Sequence, residues 1–422
     1  MLLMFLYQLI FYIIQPFIWF RLLLRAYRSP DYLKRIKERY GFCFGKVVSK
    51  GVLIHSVSIG ETFAIVYLVR LLRDCYPLLP ITITTSTLSS SKLVFSIFGS
   101  HVNHVYLPYD LQCSMRRFIN LLNPKLVIFV EKEIWPNMIN QLYQKKIPII
   151  IINARLSEHS LAKYQKISIF IKYILYKITM IFAQSKEDGE RFVRLGFNPV
   201  KLRIVENVKF DISITNELIT SSIKLRNQLA SSRHVWIAAS THEGEEIIIL
   251  DIYKKLLENF PDLLLILVPR NPDRFDKVKE LTQKKMLKFV LRSTNKIPTA
   301  DIHVLIGDSI NELMLLYGIA DIAFVGGSLV KIGGHNPLEP AAHSLPIIMG
   351  PYIYNFKNIC EKLIKYDGLI LVKDWKSMLN IMINLLSNKS LRVHHGKCAA
   401  KVLHENQGVS SKILKLLHPY LL

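Results

Sequence analysis

The chain has 422 residues, half of them hydrophobic and 21% charged, and a formal net charge of +23. This composition excludes a disordered chain, and the length exceeds the ~250 residues at which a single core usually stops growing, so two domains are expected. The positive excess asks for a polyanionic partner (nucleic acid, an anionic membrane face or an acidic substrate) or else reflects a lysine-rich vocabulary.

Residues 1–20, MLLMFLYQLIFYIIQPFIWF, carry no charge; the apolar run continues to Leu24, and Arg25, Arg28, Lys34, Arg35, Lys37 and Arg39 follow. No positive segment precedes the run and no small-residue cleavage site follows it, so it is not a cleavable signal peptide. Residues 1–24 are therefore expected to be a membrane anchor, with the basic flank on the cytoplasmic side against anionic lipids. Gln8 and Pro16 interrupt a clean span, which leaves an aromatic-rich interfacial helix as the alternative.

Strands are expected at 52–57, 80–87, 104–108, 125–131, 148–154, 181–185 and 201–207, alternating with helical spacing at 61–75, 111–122, 134–145 and 158–180. A second series follows at 234–240, 263–270, 288–293, 303–307, 322–328, 346–350 and 368–372. Near-continuous apolar runs alternating with helices predict an α/β chain of two doubly wound, Rossmann-like domains. We place the first at 25–210, the second at 211–422, and the linker at about 206–225. Such a pair presents a ligand crevice at the carboxyl ends of its strands. The five cysteines are scattered, odd in number and without metal-ligand spacing, which favours a reducing compartment over disulfides or zinc. No concentrated Lys/Arg–aromatic patch lies outside the anchor flank, so nucleic acid is not expected as the partner.

Three constellations carry chemistry. In HSVSIGET (55–62), Gly60 permits a tight turn after a strand and Glu61 opens the next helix. On pattern alone, Glu61 serves equally as a helix-start residue and as a cleft carboxylate. In VEKEIWPN (130–137), Glu131 and Glu133 follow a buried strand, and Lys209 of ENVKFD (206–211) lies beside the linker. Both features are open to a reading as a helix-start signal and a solvated lysine. The third, GGSLVKIGGHNPLEPAA (326–342), joins two glycine turns to Asn336 and Pro337 as N-cap and first helical position, with Glu339 one turn on. Backbone N–H groups at such turns attract phosphate, and packing alone explains the run poorly. Arg270 in VPRNPDRF and the turn 307–312 lie on the same edge. No GxxxxGK[ST], no strand-following GxGxxG and no DxD near the nucleotide candidates is present.

These motifs, with YLPYD (106–110), NARLSE, ASTHEGEE, GDSINEL and GPYIYNF (350–356), stand in one order along nearly the whole chain. The sequence resembles the 3-deoxy-D-manno-octulosonic acid (Kdo) transferases of lipopolysaccharide biosynthesis. The resemblance implies a GT-B fold, an N-terminal anchor in the inner membrane, and inverting transfer of Kdo from CMP-Kdo to the lipid A precursor, with no cofactor and no metal. It implies Glu61 as the general base, Glu131 and Lys209 as transition-state stabilisers, and Pro269, Arg270, Ile310, Asn311, Glu312, Asn336, Pro337, Leu338 and Glu339 as the CMP site. Another GT-B transferase using a UDP-sugar and a lipid-linked acceptor is the alternative. The chain departs from the family pattern at TTSTLSSSK (84–92), which lacks a proline–threonine–glycine turn. It also departs at Glu206 and Asn311, where glycine is usual, and at Asn271 and Tyr352, where histidine is usual.

Overall fold

The computed structural model describes every residue except Met1, Ser29, Phe44, Lys46, Ile310 and Leu422. The chain forms two compact units, Met1–Asp211 with Gly408–Leu422, and Ile212–Gln407.

The first unit is built on strands β1 (Val52–His55), β2 (Ile81–Thr85), β3 (Asn103–Tyr106), β4 (Leu126–Val130), β5 (Ile149–Ala154), β6 (Met180–Ala183) and β7 (Leu202–Ile204). All pair in parallel in the order β3-β2-β1-β4-β5-β6-β7. Alternate residues feed opposite layers. Leu53, Val127, Phe129, Ile149 and Ile151 pack with Phe118, Met138 and Leu175 on one face. Ile54, Ile83, Leu126, Ile128 and Ile150 pack with Leu68, Val94, Ile413 and Leu417 on the other. Burial on both faces explains why these strands read as unbroken apolar runs.

The second unit repeats the scheme with β8 (Val235–Thr241), β9 (Leu264–Pro269), β10 (Phe289–Leu291), β11 (Val304–Ile306), β12 (Ile322–Val325), β13 (Ile347–Met349) and β14 (Leu369–Leu371). Its parallel order is β10-β11-β9-β8-β12-β13-β14. Each sheet reverses its winding direction once, between β1 and β4 and between β8 and β12. Such switch points are where open α/β sheets bind ligands, beyond the carboxyl ends of the strands.

Helix boundaries depart from the sequence expectation in two places. The stretch 61–75 is two helices, Ile59–Ala64 and Val66–Cys75, joined at the buried Ile65. The stretch 158–180 is likewise divided into Glu158–Gln165 and Ser168–Leu175. The linker is also shorter than 206–225, because a 3-10 turn (Val208–Phe210) and the helix Asn216–Ala230 occupy most of that range.

The terminal helix Val409–Leu417, read in sequence as part of the second domain, lies in the first unit. Asp211 captures it: its carboxylate accepts the N–H groups of Gly408 (2.7 Å), Val409 (3.2 Å) and Ser410 (2.5 Å). Three N–H groups that would open a helix unpaired are thereby satisfied by a negative charge, which the helix dipole also favours. Among the described residues no single helix is long and apolar enough to cross a membrane. The pair Leu3–Ile13 and Gln15–Tyr27 meets that test only together, bent by 41°.

Candidate functional site

At the switch point of the first unit, β1 runs into Ser56-Val57-Ser58 and the helix Ile59–Ala64. Ser58 caps that helix by accepting the Glu61 N–H (3.3 Å). The Glu61 carboxylate turns back to accept the Val57 N–H (2.7 Å) and the Ser58 hydroxyl (3.0 Å). The residue therefore does bind the helix start, and the same bonds fix its carboxylate in one orientation. Glu61 is 9% exposed. Burial raises its carboxyl to about 7, and the negative Glu131 and Glu133 add to the effect, while the Val57 and Ser58 bonds oppose it. A carboxyl poised near neutrality is the setting a general base needs.

Glu131 follows β4, the neighbour of β1 across the switch point. Its N–H continues the ladder to the Ile152 carbonyl (3.0 Å), after which the backbone turns through φ +65°. A non-glycine residue held in the left-handed region marks a position fixed by its surroundings. The Glu131 carboxylate meets the Lys209 ammonium at 3.5 Å. Lys209 is presented by the turn Val208–Phe210, which Asn207 caps through the Lys209 N–H (3.0 Å) and Asn153 anchors through the Val208 N–H (3.2 Å). Glu61, Glu131 and Lys209, 148 positions apart from first to last, thus gather on one edge. Glu133 joins them, its carboxyl also raised by burial.

In the second unit the expected nucleotide residues belong to the carboxyl ends of three strands, β9, β11 and β12, which lie within the run β11-β9-β8-β12 of the sheet. Pro269 is the buried last residue of β9, and Arg270 extends the ladder through its N–H to the Thr241 carbonyl (3.0 Å), with an exposed side chain. Its guanidinium is near enough to add to the lowering that burial imposes on His242 and His335 and to oppose the rise that burial imposes on Glu339. Asn336 accepts the Leu338 N–H (3.2 Å), one residue away from the expected cap geometry, since Pro337 occupies the N-cap. Asn336 also donates to Glu339 (3.3 Å), whose carboxyl is raised by burial. Leu338 is wholly buried, so its side chain belongs to the packing. Asn311 is exposed at φ +68°. Glu312 is held by Arg292 (2.9 Å) and by the Ser309 hydroxyl. Ile310 lies outside the described residues.

The glycine turns do something other than expected. The N–H groups of Gly327 (2.8 Å), Ser328 (3.0 Å) and Leu329 (2.9 Å) all donate to the carboxylate of Glu245, which also accepts the His242 N–H (2.9 Å). The N–H groups of Gly333 and Gly334 donate to the Gly327 carbonyl, and that of His335 to Gly326. These donors are spent on the protein's own oxygens, so the Gly327–Leu329 nest holds a side-chain carboxylate in place of the phosphate expected from the sequence. Gly326 is required there, because a Cβ would lie 2.5 Å from the Ser240 carbonyl oxygen.

A histidine pair that no sequence motif marks is also present. His242 and His335 stack with ring centroids 5.0 Å apart, 6° from parallel, and their Nε2 atoms are 2.7 Å apart. One ring donates and the other accepts. Burial and Arg270 lower both, His335 to about 3, so both are neutral at pH 7. Glu245 and this pair escaped notice because their partners lie more than 80 positions away and leave no local pattern. Among the described residues, no group of three or more His, Cys, Asp or Glu side chains comes together as metal ligands do.

The family profile described as 3-deoxy-D-manno-octulosonic-acid transferase (kdotransferase) matches residues 34–212. The chain is 44% identical over 421 residues to the 3-deoxy-D-manno-octulosonic acid transferase of Haemophilus influenzae, covering 99% of this chain and 98% of that one. Among solved structures it resembles the UDP-GlcNAc 2-epimerase of Neisseria meningitidis (TM-score 0.61, 14% identity, 87% of this chain and 100% of that one). It also resembles a glycosyltransferase of Rickettsia africae (TM-score 0.58, 13% identity, 88% and 99%). At such low identities the structures speak for the fold alone, the pair of Rossmann-like domains found in GT-B proteins.

Proposed function

The chain belongs to the 3-deoxy-D-manno-octulosonic acid (Kdo) transferase family, and from that premise we propose that it transfers Kdo from CMP-Kdo to the lipid A precursor during lipopolysaccharide synthesis. The observation that carries the mechanism is Glu61: a buried carboxylate, fixed by two hydrogen bonds and raised to about 7, at the switch point of its sheet.

In the proposed reaction the acceptor hydroxyl gives its proton to Glu61, and its oxygen bonds the anomeric carbon of Kdo as the bond from that carbon to the CMP phosphate breaks. Attack opposite the leaving group inverts the anomeric configuration. Positive charge grows on the sugar and negative charge on the phosphate. Glu131, paired with the Lys209 ammonium, stabilises the first. Arg270 faces the second, and Asn336 and Glu339 take the cytidine ribose hydroxyls. Pro269, Pro337, Leu338, Asn311 and Glu312 shape the CMP pocket. The reaction as drawn needs neither metal nor cofactor. The N-terminal helices hold the enzyme at the cytoplasmic face of the inner membrane, where its lipid acceptor lies, and the basic flank favours anionic lipid.

Ligand protection tests the donor assignment. CMP is expected to raise the melting temperature and slow proteolysis of the purified chain, with UDP inactive at equal concentration. Protection by UDP and none by CMP would overturn it in favour of a UDP-sugar donor.

A further inference from the structure

We propose that the N-terminal helices do not cross the bilayer but lie along the first unit as part of a one-leaflet membrane face, completed by the helix Ser168–Leu175. The inference deepens the membrane reading above and rests on it.

The helices Leu2–Ile13 and Gln15–Arg28 are fastened lengthwise to the unit. Met4 belongs to the core of the first sheet. The Tyr7 hydroxyl donates to Asp110 (2.8 Å), Gln8 donates to Asn137 (3.0 Å), and Gln15 accepts from the Tyr40 hydroxyl (3.1 Å). Trp19 stacks on Tyr40 at 6.1 Å. These ties extend from residue 4 to residue 19, most of the apolar run. Were the run to cross a bilayer in this arrangement, it would carry Asp110 and Asn137 into hydrocarbon with it. Asp110 is committed where it is: its carboxylate also accepts the N–H groups of Asn137 and Met138 (both 2.9 Å), opening the helix Pro136–Gln144. Freeing the run would take from Asp110 its Tyr7 hydroxyl and from Asn137 its Gln8 amide, leaving two buried polar side chains each short of a partner.

The other side of the same helices is bare. Ile13, Phe17 and Phe20 are 64%, 72% and 63% exposed. The ring of Tyr7 meets Phe170 at 5.8 Å, joining this face to the helix Ser168–Leu175. There Ile169 and Tyr176 are 75% and 71% exposed. Exposed lysines surround the second patch at 163, 166 and 172, and Arg21, Arg25, Lys34 and Lys37 are exposed beside the first. Apolar side chains rimmed by cations match a leaflet of anionic lipid, with the rings and aliphatics in the acyl boundary and the ammonium groups at the phosphates. A second copy of the chain would instead bring these like charges together.

Two measurements on the full chain test this, using vesicles of phosphatidylethanolamine and phosphatidylglycerol with protein added from outside. First, a dithionite-bleachable fluorophore is placed at Leu3→Cys or at Leu24→Cys, with Cys75, Cys113 and Cys398 replaced by serine. Bleaching of both by external dithionite is expected; protection of the first alone means a span and overturns the proposal. Second, the pair Ile169→Glu and Tyr176→Glu, both on the surface, is expected to lower vesicle binding about tenfold with melting temperature and CMP protection unchanged. Unchanged binding removes the second patch and overturns the two-part face. Absence of vesicle binding with dimerisation in solution assigns the face to a second copy and also overturns it. Kdo transfer to a detergent-dispersed acceptor reports separately on the function, so the two readings fail independently.

Discussion

Lys209 holds its ammonium 3.5 Å from the carboxylate of Glu131, with both side chains about one fifth exposed. This ion pair sets the charge of a cluster that otherwise holds three acids, Glu61, Glu131 and Glu133. Lys209→Met removes the cation that offsets them. The turnover number is expected to fall about 10- to 100-fold, as for loss of one electrostatic stabiliser. The anionic form of the Glu61 base becomes less favourable, so the acid limb of the pH–rate profile moves to higher pH. A profile that keeps its position after the substitution would separate Lys209 from the cluster's electrostatics.

Glu61→Gln keeps the shape of the side chain and removes the base. Transfer is expected to drop by about 10² to 10⁴, with CMP binding unchanged. In the parent chain, activity should rise with pH through about 7, because the base acts when ionised.

Stability moves the opposite way. The folded-state value lies above the ordinary 4.5, so the stability linked to protonated Glu61 is complete below 4.5 and lost as pH rises through about 7. At pH 8, Glu61→Gln is therefore expected to stabilise the fold by up to about 3 kcal/mol, measured by urea denaturation at pH 5 and pH 8. Equal effects at both pH values would mean that Glu61 is not held protonated by the fold.

Glu245→Gln tests the carboxylate that fills the glycine turn. Its oxygens accept four backbone N–H groups, and an amide would turn its own N–H₂ against some of them. The cost is expected to be about 2–4 kcal/mol, seen as a fall in melting temperature together with weaker CMP binding. Tighter binding of CMP would point to a turn that welcomes phosphate once its carboxylate is gone.

Arg270→Met removes an exposed cation at the end of β9. CMP affinity is expected to fall about 10- to 100-fold, with the fold intact. The positive charge lowers both His242 and His335, so their titrations, followed by NMR, should move upward. Histidine titrations that stay in place would exclude Arg270 from their surroundings.

Much of this was legible in the sequence because buried parallel strands are written as continuous apolar runs. All fourteen expected strands are present, from Val52–His55 to Leu369–Leu371. The residues at their carboxyl ends are those the motifs singled out. What escaped depends on contacts distant in sequence. Asp211 draws the terminal helix back to the first unit from nearly 200 positions away. Glu245 reaches the Gly327 turn across 82 positions. Neither leaves a periodic trace. The departures Glu206 and Asn311 sit at φ +68°, a conformation that costs glycine little and other residues more. The family's glycines at those positions therefore have a backbone reason, which the two side chains here override.

Kdo transfer is read directly by incubating the purified chain with CMP-Kdo and lipid A precursor and weighing the lipid product. A mass gain of whole Kdo residues with stoichiometric release of CMP, abolished by Glu61→Gln, is expected. A lipid of unchanged mass with the parent enzyme, or full transfer by the Glu61→Gln variant, would contradict it.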